Sequence, residues 1–292
     1  MKERLIIKGT VLTYGEKWVV GNENYSSILL SVINSWKSNN FTPQDNLKEN
    51  IEPWKSREFG KIKSSIYGYT SDLHNLAVNY CLLKETFENE TISKHKINLY
   101  ISLLLENYIT NIRSLYDFLF NFIKICLSKN ELKTLPTNDS LNRLIRFSKN
   151  ENNKEKLPQN IHNFLSDIEP YLDEIKSIRD CIIHKGKEII ITKKDNEIFM
   201  RIPKTGLYSD DNLLPNILNS SEVDYNMKDY LRELTKSILN YSEDLGCILL
   251  IELSKKEKFN WNLYLITNYC MEEFTEFMLK QKPYNSDCFQ NK

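Results

Sequence analysis

The sequence predicts a mainly α protein: a helical bundle carrying two small accessory β-hairpins. Gly and Pro number only 8 each among 292 residues, too few for a loop-rich or all-β chain. Apolar residues recur at spacings of three and four over residues 73–126 and 231–253, the period of an amphipathic helix. Two stretches switch to the two-residue period of a strand, "RLIIKGTVLTYGEKWVVG" near the start and "EIIITKKDNEIFMRI" at 188–202.

In chain order, the first stretch predicts a hairpin turning at Tyr14-Gly15, followed by a short helix over about 25–36. Residues 39–66 are polar, contain Pro43 and Pro53, and predict a surface connection. Behind a Ser71 cap, Leu73, Leu76, Tyr80, Leu83 and Phe87 predict a helix. Ile97, Ile101, Leu104, Tyr108, Ile112, Leu115, Leu119, Phe122 and Cys126 then form one seam about eight turns long. That length marks the central helix of the bundle. A short helix is expected over about 139–148, and a polar linker over 148–160. Two helices are expected at 160–168 and 170–185, the second stopping at Gly186. The hairpin at 188–202 turns near Asp195-Asn196, and 203–219 is a loop. A Ser221/Asp224 capping box precedes a last long helix with its seam on Leu231, Leu234, Ile238, Tyr241, Leu245, Leu249 and Leu253. An amphipathic segment follows at 261–280, fit to pack back or to serve a partner.

Lys+Arg and Asp+Glu are both 39, giving zero formal net charge. Contact with a nucleic acid therefore needs a local basic patch, because no global field attracts one. The start, "MKERLIIKGTVLTYGEKW", has no long apolar core of a secretory signal, and no apolar run approaches membrane-spanning length. The six cysteines are scattered without a C-x-x-C pair. They are expected as buried thiols in a reducing, cytoplasmic setting, with neither a disulfide frame nor a zinc site.

"GKIKSS" at 60–65 lacks the spacing of a phosphate-wrapping loop and reads as a basic surface turn. His74, His95 and His162 have no second ligand at i+3 or i+4, so no metal is expected. The sharper feature is "KSIRDCIIHKGKE" at 176–188. On an ideal helix Leu172, Ile175, Ile178, Ile182 and Ile183 make one apolar stripe. Arg179 falls inside it, roughly 40° from Ile175. A guanidinium so placed needs a carboxylate, an interface or an anionic ligand, because its charge is costly to desolvate. Asp117, on the central helix, is the candidate carboxylate, with Arg113 one turn before it. His184 sits in the last helical turn, where the helix dipole favours an imidazolium and Asp180 stands at i−4. It is therefore placed either to cap the helix or to exchange protons near neutral pH. Arg179 and His184 lie ~140° apart on an ideal helix. They converge only if the helix loosens before Gly186 or two subunits each contribute a pair.

"RDCIIH" resembles the R-x(4–6)-H motif of the HEPN superfamily, with Asp180 at the polar position after the arginine, and "NIRSLYDFLFNFI" at 111–123 resembles the preceding core helix of such proteins. The resemblance implies a HEPN-like helical domain over 67–256 with the hairpin 188–202 inserted. An N-terminal hairpin and helix extension (1–66) and an amphipathic C-terminal tail (257–292) flank it. It further implies metal-independent, cofactor-free RNA cleavage at a composite homodimer site, in a toxin or anti-phage effector with an antitoxin or defence-system partner. Arg179, Asp180 and His184 are then the catalytic set, supported by Asp117 and Arg113. Lys185, Lys187, Arg143 and Arg146 would hold the RNA backbone. The same resemblance also fits a catalytically silent HEPN-like module that dimerises or binds a partner.

Overall fold

The computed structural model describes residues 13–14, 17–18, 27–41, 53–136, 140–181, 189–194, 197–204, 212–213, 216–218, 222–256, 259–262 and 272–279. Among them stand eight helices: α1 (Ser27–Asn40), α2 (Pro53–Glu88), α3 (Lys94–Ile123), α4 (Lys129–Thr134), α5 (Leu141–Ser148), α6 (Gln159–Arg179), α7 (Met227–Lys256) and α8 (Glu272–Leu279). The chain is mainly helical, as the periodicity predicts. None of these helices is long and apolar enough to cross a membrane.

The central position of α3 follows from its seam. Ile101, Tyr108, Ile112, Leu115, Leu119, Phe122 and Cys126 are all buried, and α2, α5, α6 and α7 pack around them. Two buried tyrosine hydroxyls fasten this assembly to α7. Tyr69 of α2 donates to Ser242 Oγ at 2.6 Å, and Tyr108 of α3 meets Thr235 Oγ1. Ser242 and Thr235 pass their own protons back to the carbonyls of Ile238 and Leu231, so neither hydroxyl chain ends unsatisfied.

Helix α1 is seated on α7 by a close backbone approach. The fully buried Glu243 carboxylate accepts from Ile28 N at 3.0 Å, placing negative charge at the positive end of α1. One turn further along α7, Gly246 lets the α1 backbone come so near that a Cβ there would lie 2.5 Å from Leu29 N. At the far end α8 packs back onto the bundle: Phe277 stacks on Tyr80 at 4.0 Å, and Arg232 donates to the Phe277 carbonyl.

Two hairpins are where the sequence puts them. Strands β1 (Thr13–Tyr14) and β2 (Lys17–Trp18) pair antiparallel, as do β3 (Ile190–Lys194) and β4 (Glu197–Arg201). The Lys194–Glu197 pair closes the second around the expected turn at Asp195-Asn196, two residues outside the described set. A third strand, β5 (Tyr225–Asn226), extends that hairpin to a sheet of order β3-β4-β5.

Several expectations are corrected. Helix α2 starts at Pro53, so Ser71 is a helix-interior residue and "GKIKSS" is part of a helix. Proline at a first helical position loses no hydrogen bond and starts a helix well. Helix α6 runs through Pro170 as one element. Buried Ile161, Phe164, Leu165, Ile168, Leu172, Ile175 and Ile178 hold it on both sides of the proline, outweighing a local penalty of ~3 kcal/mol. The linker at 148–160 contains a 3-10 turn (Glu151–Lys156), and α4 has a full capping box on Ser128 and Glu131. Helix α7 starts at Met227, beyond the expected Ser221/Asp224 box. Asp224 is taken by Arg201 through two hydrogen bonds of 2.7 and 2.8 Å. Asn226 caps α7 instead, accepting from Lys228 N and Asp229 N; Ser221 lies outside the described residues. Cys81, Cys126 and Cys181 are free and buried, but Cys247 is disulfide-bonded, against the expectation of separate thiols. Scattered spacing in sequence does not show which sulfurs meet in space.

The two glycines of α7 and early α2 give opposite predictions. Gly246→Ala forces backbone apart and should lower stability by about 1–3 kcal/mol or more. Gly60 is exposed in α2 with nothing within 4 Å of a Cβ, so Gly60→Ala should raise it by ~0.5–1 kcal/mol. Urea unfolding of both variants checks this; equal effects would refute the close α1–α7 packing.

Candidate functional site

The end of α6 is fixed from two sides. Leu172, Ile175 and Ile178 are buried, confirming the stripe as far as the structure describes it. One carboxylate, Glu174, anchors the polar edge: Oε1 accepts from Tyr230 OH of α7 at 3.3 Å and Oε2 from Ile217 N at 3.1 Å. Burial pushes its carboxyl above the usual value, and those two bonds hold it back. Arg179 is the last α-helical residue and is half-buried. The chain then widens into a π-helical turn at 180–181, whose first residue, Asp180, still donates its backbone N–H to Lys176 and Ser177. Such wide turns are rare and occur often at functional sites.

Facing this end is a pair on α3. Arg113 is 8% exposed, and its Nη2 lies 3.0 Å from Asp117 Oδ1, whose side chain is 36% exposed. The pair thus leads from the core outward. The same Oδ1 accepts from Leu141 N at 3.3 Å, the first amide of α5. Because the α5 N-cap, Ser140, makes no side-chain cap bond, Asp117 supplies from another helix the acceptor that α5 lacks.

The electrostatics join the two ends. Burial lowers the Arg113 guanidinium pKa; Asp117 opposes that, nearby Arg179 reinforces it, and Asp180 opposes it. Burial raises the Asp117 carboxyl, against Arg113, the Leu141 amide and Arg179. Two arginines and two aspartates from α3 and α6 therefore share one field beside the start of α5. Within it, Arg113 Nη1 is buried without a hydrogen-bond partner among the described residues. Arg179 makes no hydrogen bond or ion pair among the described residues.

Of the residues singled out in the sequence, Arg179, Asp180, Arg113 and Asp117 come together. Asp117 is Arg113's ion partner, and it acts on Arg179 only through the shared field. Arg143 and Arg146 are exposed on α5, Arg143 in the turn tied to Asp117. His184, Lys185 and Lys187 lie outside the described residues. The sequence reading missed Glu174 and the Leu141 amide. The i, i+4 spacing of Arg113 and Asp117 was visible, but the second partner of Asp117 is 24 residues away and has no local signal. Among the described residues no group of three His, Cys, Asp or Glu side chains could hold a metal ion. No family model, curated protein or solved structure matches the chain.

The pKa directions carry opposite pH signatures. Asp117 is raised above 3.8, so the folded chain holds its proton more tightly than the unfolded chain. Its contribution favours folding at low pH and is lost as pH rises through the folded value. Asp224 is lowered by its hydrogen bonds to Arg201. Its contribution is present above 3.8 and is lost as pH falls through the folded value. Carboxyl-carbon NMR titration should place Asp117 above and Asp224 below 3.8; the reverse order would contradict the arrangement described.

Proposed function

We propose that this chain is a HEPN-type endoribonuclease that cleaves RNA without a metal, by attack of a 2′-hydroxyl on the adjacent phosphate. One observation carries the reading. Arg179, the arginine that breaks an apolar stripe, lies at a helix end in the field of a buried Arg113–Asp117 pair, where the R-x4-H resemblance puts its site. The widened turn at 180–181 lends further support, since a helix that loosens before Gly186 is one of the two ways in which Arg179 and His184 can converge.

In this reading His184 takes the 2′-hydroxyl proton, the new oxygen–phosphorus bond forms, and the bond to the 5′-oxygen breaks. A proton returned to that oxygen completes the step, leaving a 2′,3′-cyclic phosphate and a 5′-hydroxyl. Arg179 stabilises the charge gathering on the phosphate oxygens with its planar donors. Asp180 orients His184, and Lys185, Lys187, Arg143 and Arg146 steer the backbone. The site is composite across a homodimer in the cytoplasm, and the protein acts as a toxin or anti-phage effector held in check by a partner.

RNA cleavage in EDTA tests the proposal. Wild type should cut, and Arg179→Ala and His184→Ala should each lower the rate ~10²–10³-fold. Equal cutting by both variants would move the site elsewhere, and a wild type inert on diverse RNAs would favour a silent binding module.

A further inference from the structure

Toward the other end of α3, a cavity of about 1220 Å³ opens between the end of α2, the start of α3, the β3-β4 hairpin and the first residues of α7. Ligand pockets usually measure roughly 300–1,000 Å³, so this one has room for a substantial guest. Its deep wall is made by Leu83, Ile101, Ile198 and Met227, all buried, joined by half-buried Phe87 and Ile97. Tyr80 also lines it, but its ring is stacked on Phe277. A polar body seated against such a wall would leave water without gaining side-chain hydrogen bonds in return, whereas an aliphatic one gains from burial. The charges stand at the rim. Lys84 and Lys228 are half-buried, Lys193 is exposed, and none of the three forms an ion pair among the described residues. Lys193 Nζ lies 4.3 Å from the centroid of the Phe87 ring, which holds one cation over the cavity. Glu88 and Glu90 also line the mouth, but both are exposed, where water and salt screen them.

We propose that this cavity binds a free fatty carboxylate, its acyl chain against the aliphatic wall and its head group at Lys84, Lys193 and Lys228. The division of the lining selects this class of ligand. The wall rewards methylene groups, and half-buried ammonium groups without ion partners gain most from an anion that meets them away from bulk water. A single chain fits better than a lipid surface. The rim residues Glu88, Asn89, Glu90 and Asn98 are polar and exposed, and docking on a membrane would strip them of water. About three turns of α3 separate Ile101 from Arg113, and the seat does not depend on the nuclease reading.

Calorimetric titration of the full chain with laurate, dodecanol and dodecyltrimethylammonium, each below its micelle concentration, separates chain from charge. Laurate should bind saturably at one site, dodecanol ~10-fold more weakly, and the cationic amphiphile more weakly still. Shortening laurate to decanoate and octanoate should weaken binding by up to about fourfold per methylene. The double variant Lys84→Gln, Lys228→Gln should bring laurate to the affinity of dodecanol and leave dodecanol unchanged, a pattern that misfolding does not produce. Ile97→Trp fills the cavity from a half-buried wall position and should weaken both ligands at least ~10-fold. Thermal melts establish which variants are folded; if Ile97→Trp is not, the chain-length series decides in its place. The proposal is overturned if wild type does not bind laurate, or if it binds the cationic amphiphile as tightly. Affinity that ignores chain length, or a laurate affinity unmoved in the folded double variant, also overturns it. So does lysine-dependent binding to phosphatidylglycerol vesicles without binding of monomeric laurate, which assigns the face to a membrane.

Discussion

A guanidinium that is 8% exposed has to be answered, and the answer given to Arg113 organises this end of the bundle. Its charge cannot be removed by deprotonation within the ordinary pH range, so burial is tolerable only beside a carboxylate held in place. Asp117, one turn on, provides that carboxylate, and the same oxygen caps α5. One atom thus ties the central helix to the helix lying across it. Helix α5 packs on α6 in turn, so the start of α5 and the end of α6 are brought to the same place. The surroundings of Arg179 follow from how Arg113 is accommodated.

Much of the bundle was legible because its signal is local and repeated. The seams of α3 and α7 are periodic over 30 residues each, and burial follows them almost residue by residue. What escaped were boundaries decided by competition. Pro53 lay in a stretch expected as a surface connection, yet it starts α2, where proline costs nothing; the two helices expected around Pro170 are one, held by seven buried apolar side chains. Ser221 and Asp224 have the right spacing for a capping box. Helix α7 starts later, at Met227, and Asp224 is held by Arg201, on a strand 23 residues earlier, through two charge-assisted hydrogen bonds. The third strand, two residues long, has no periodicity to read.

The candidate site divides in the same way. Arg179 stood out because one charged residue in an apolar stripe is a mismatch visible in one dimension. That mismatch pointed toward Asp117 as a partner carboxylate, with Arg113 one turn before it, but it could not tell which arginine Asp117 would pair with. Asp117 serves Arg113 and α5 first and reaches Arg179 only through space. The unmatched Nη1 is still less visible, because it depends on which edge of a planar group the folded chain happens to use.

The charge count bears on what such a site can recognise. The chain is neutral overall, and the four charges at the α3–α6 junction are balanced two against two. Long-range attraction to a polyanion is therefore small, and selection must come from contact: which donors are unspent and how they are aimed. There the balance is uneven, since one carboxylate oxygen accepts from two donors while Arg113 Nη1 finds no acceptor among the described residues. The turn at 180–181 acts on the same scale. An i→i+5 turn sweeps less angle per residue than an α-helix, so it narrows the ~140° that separates positions five apart.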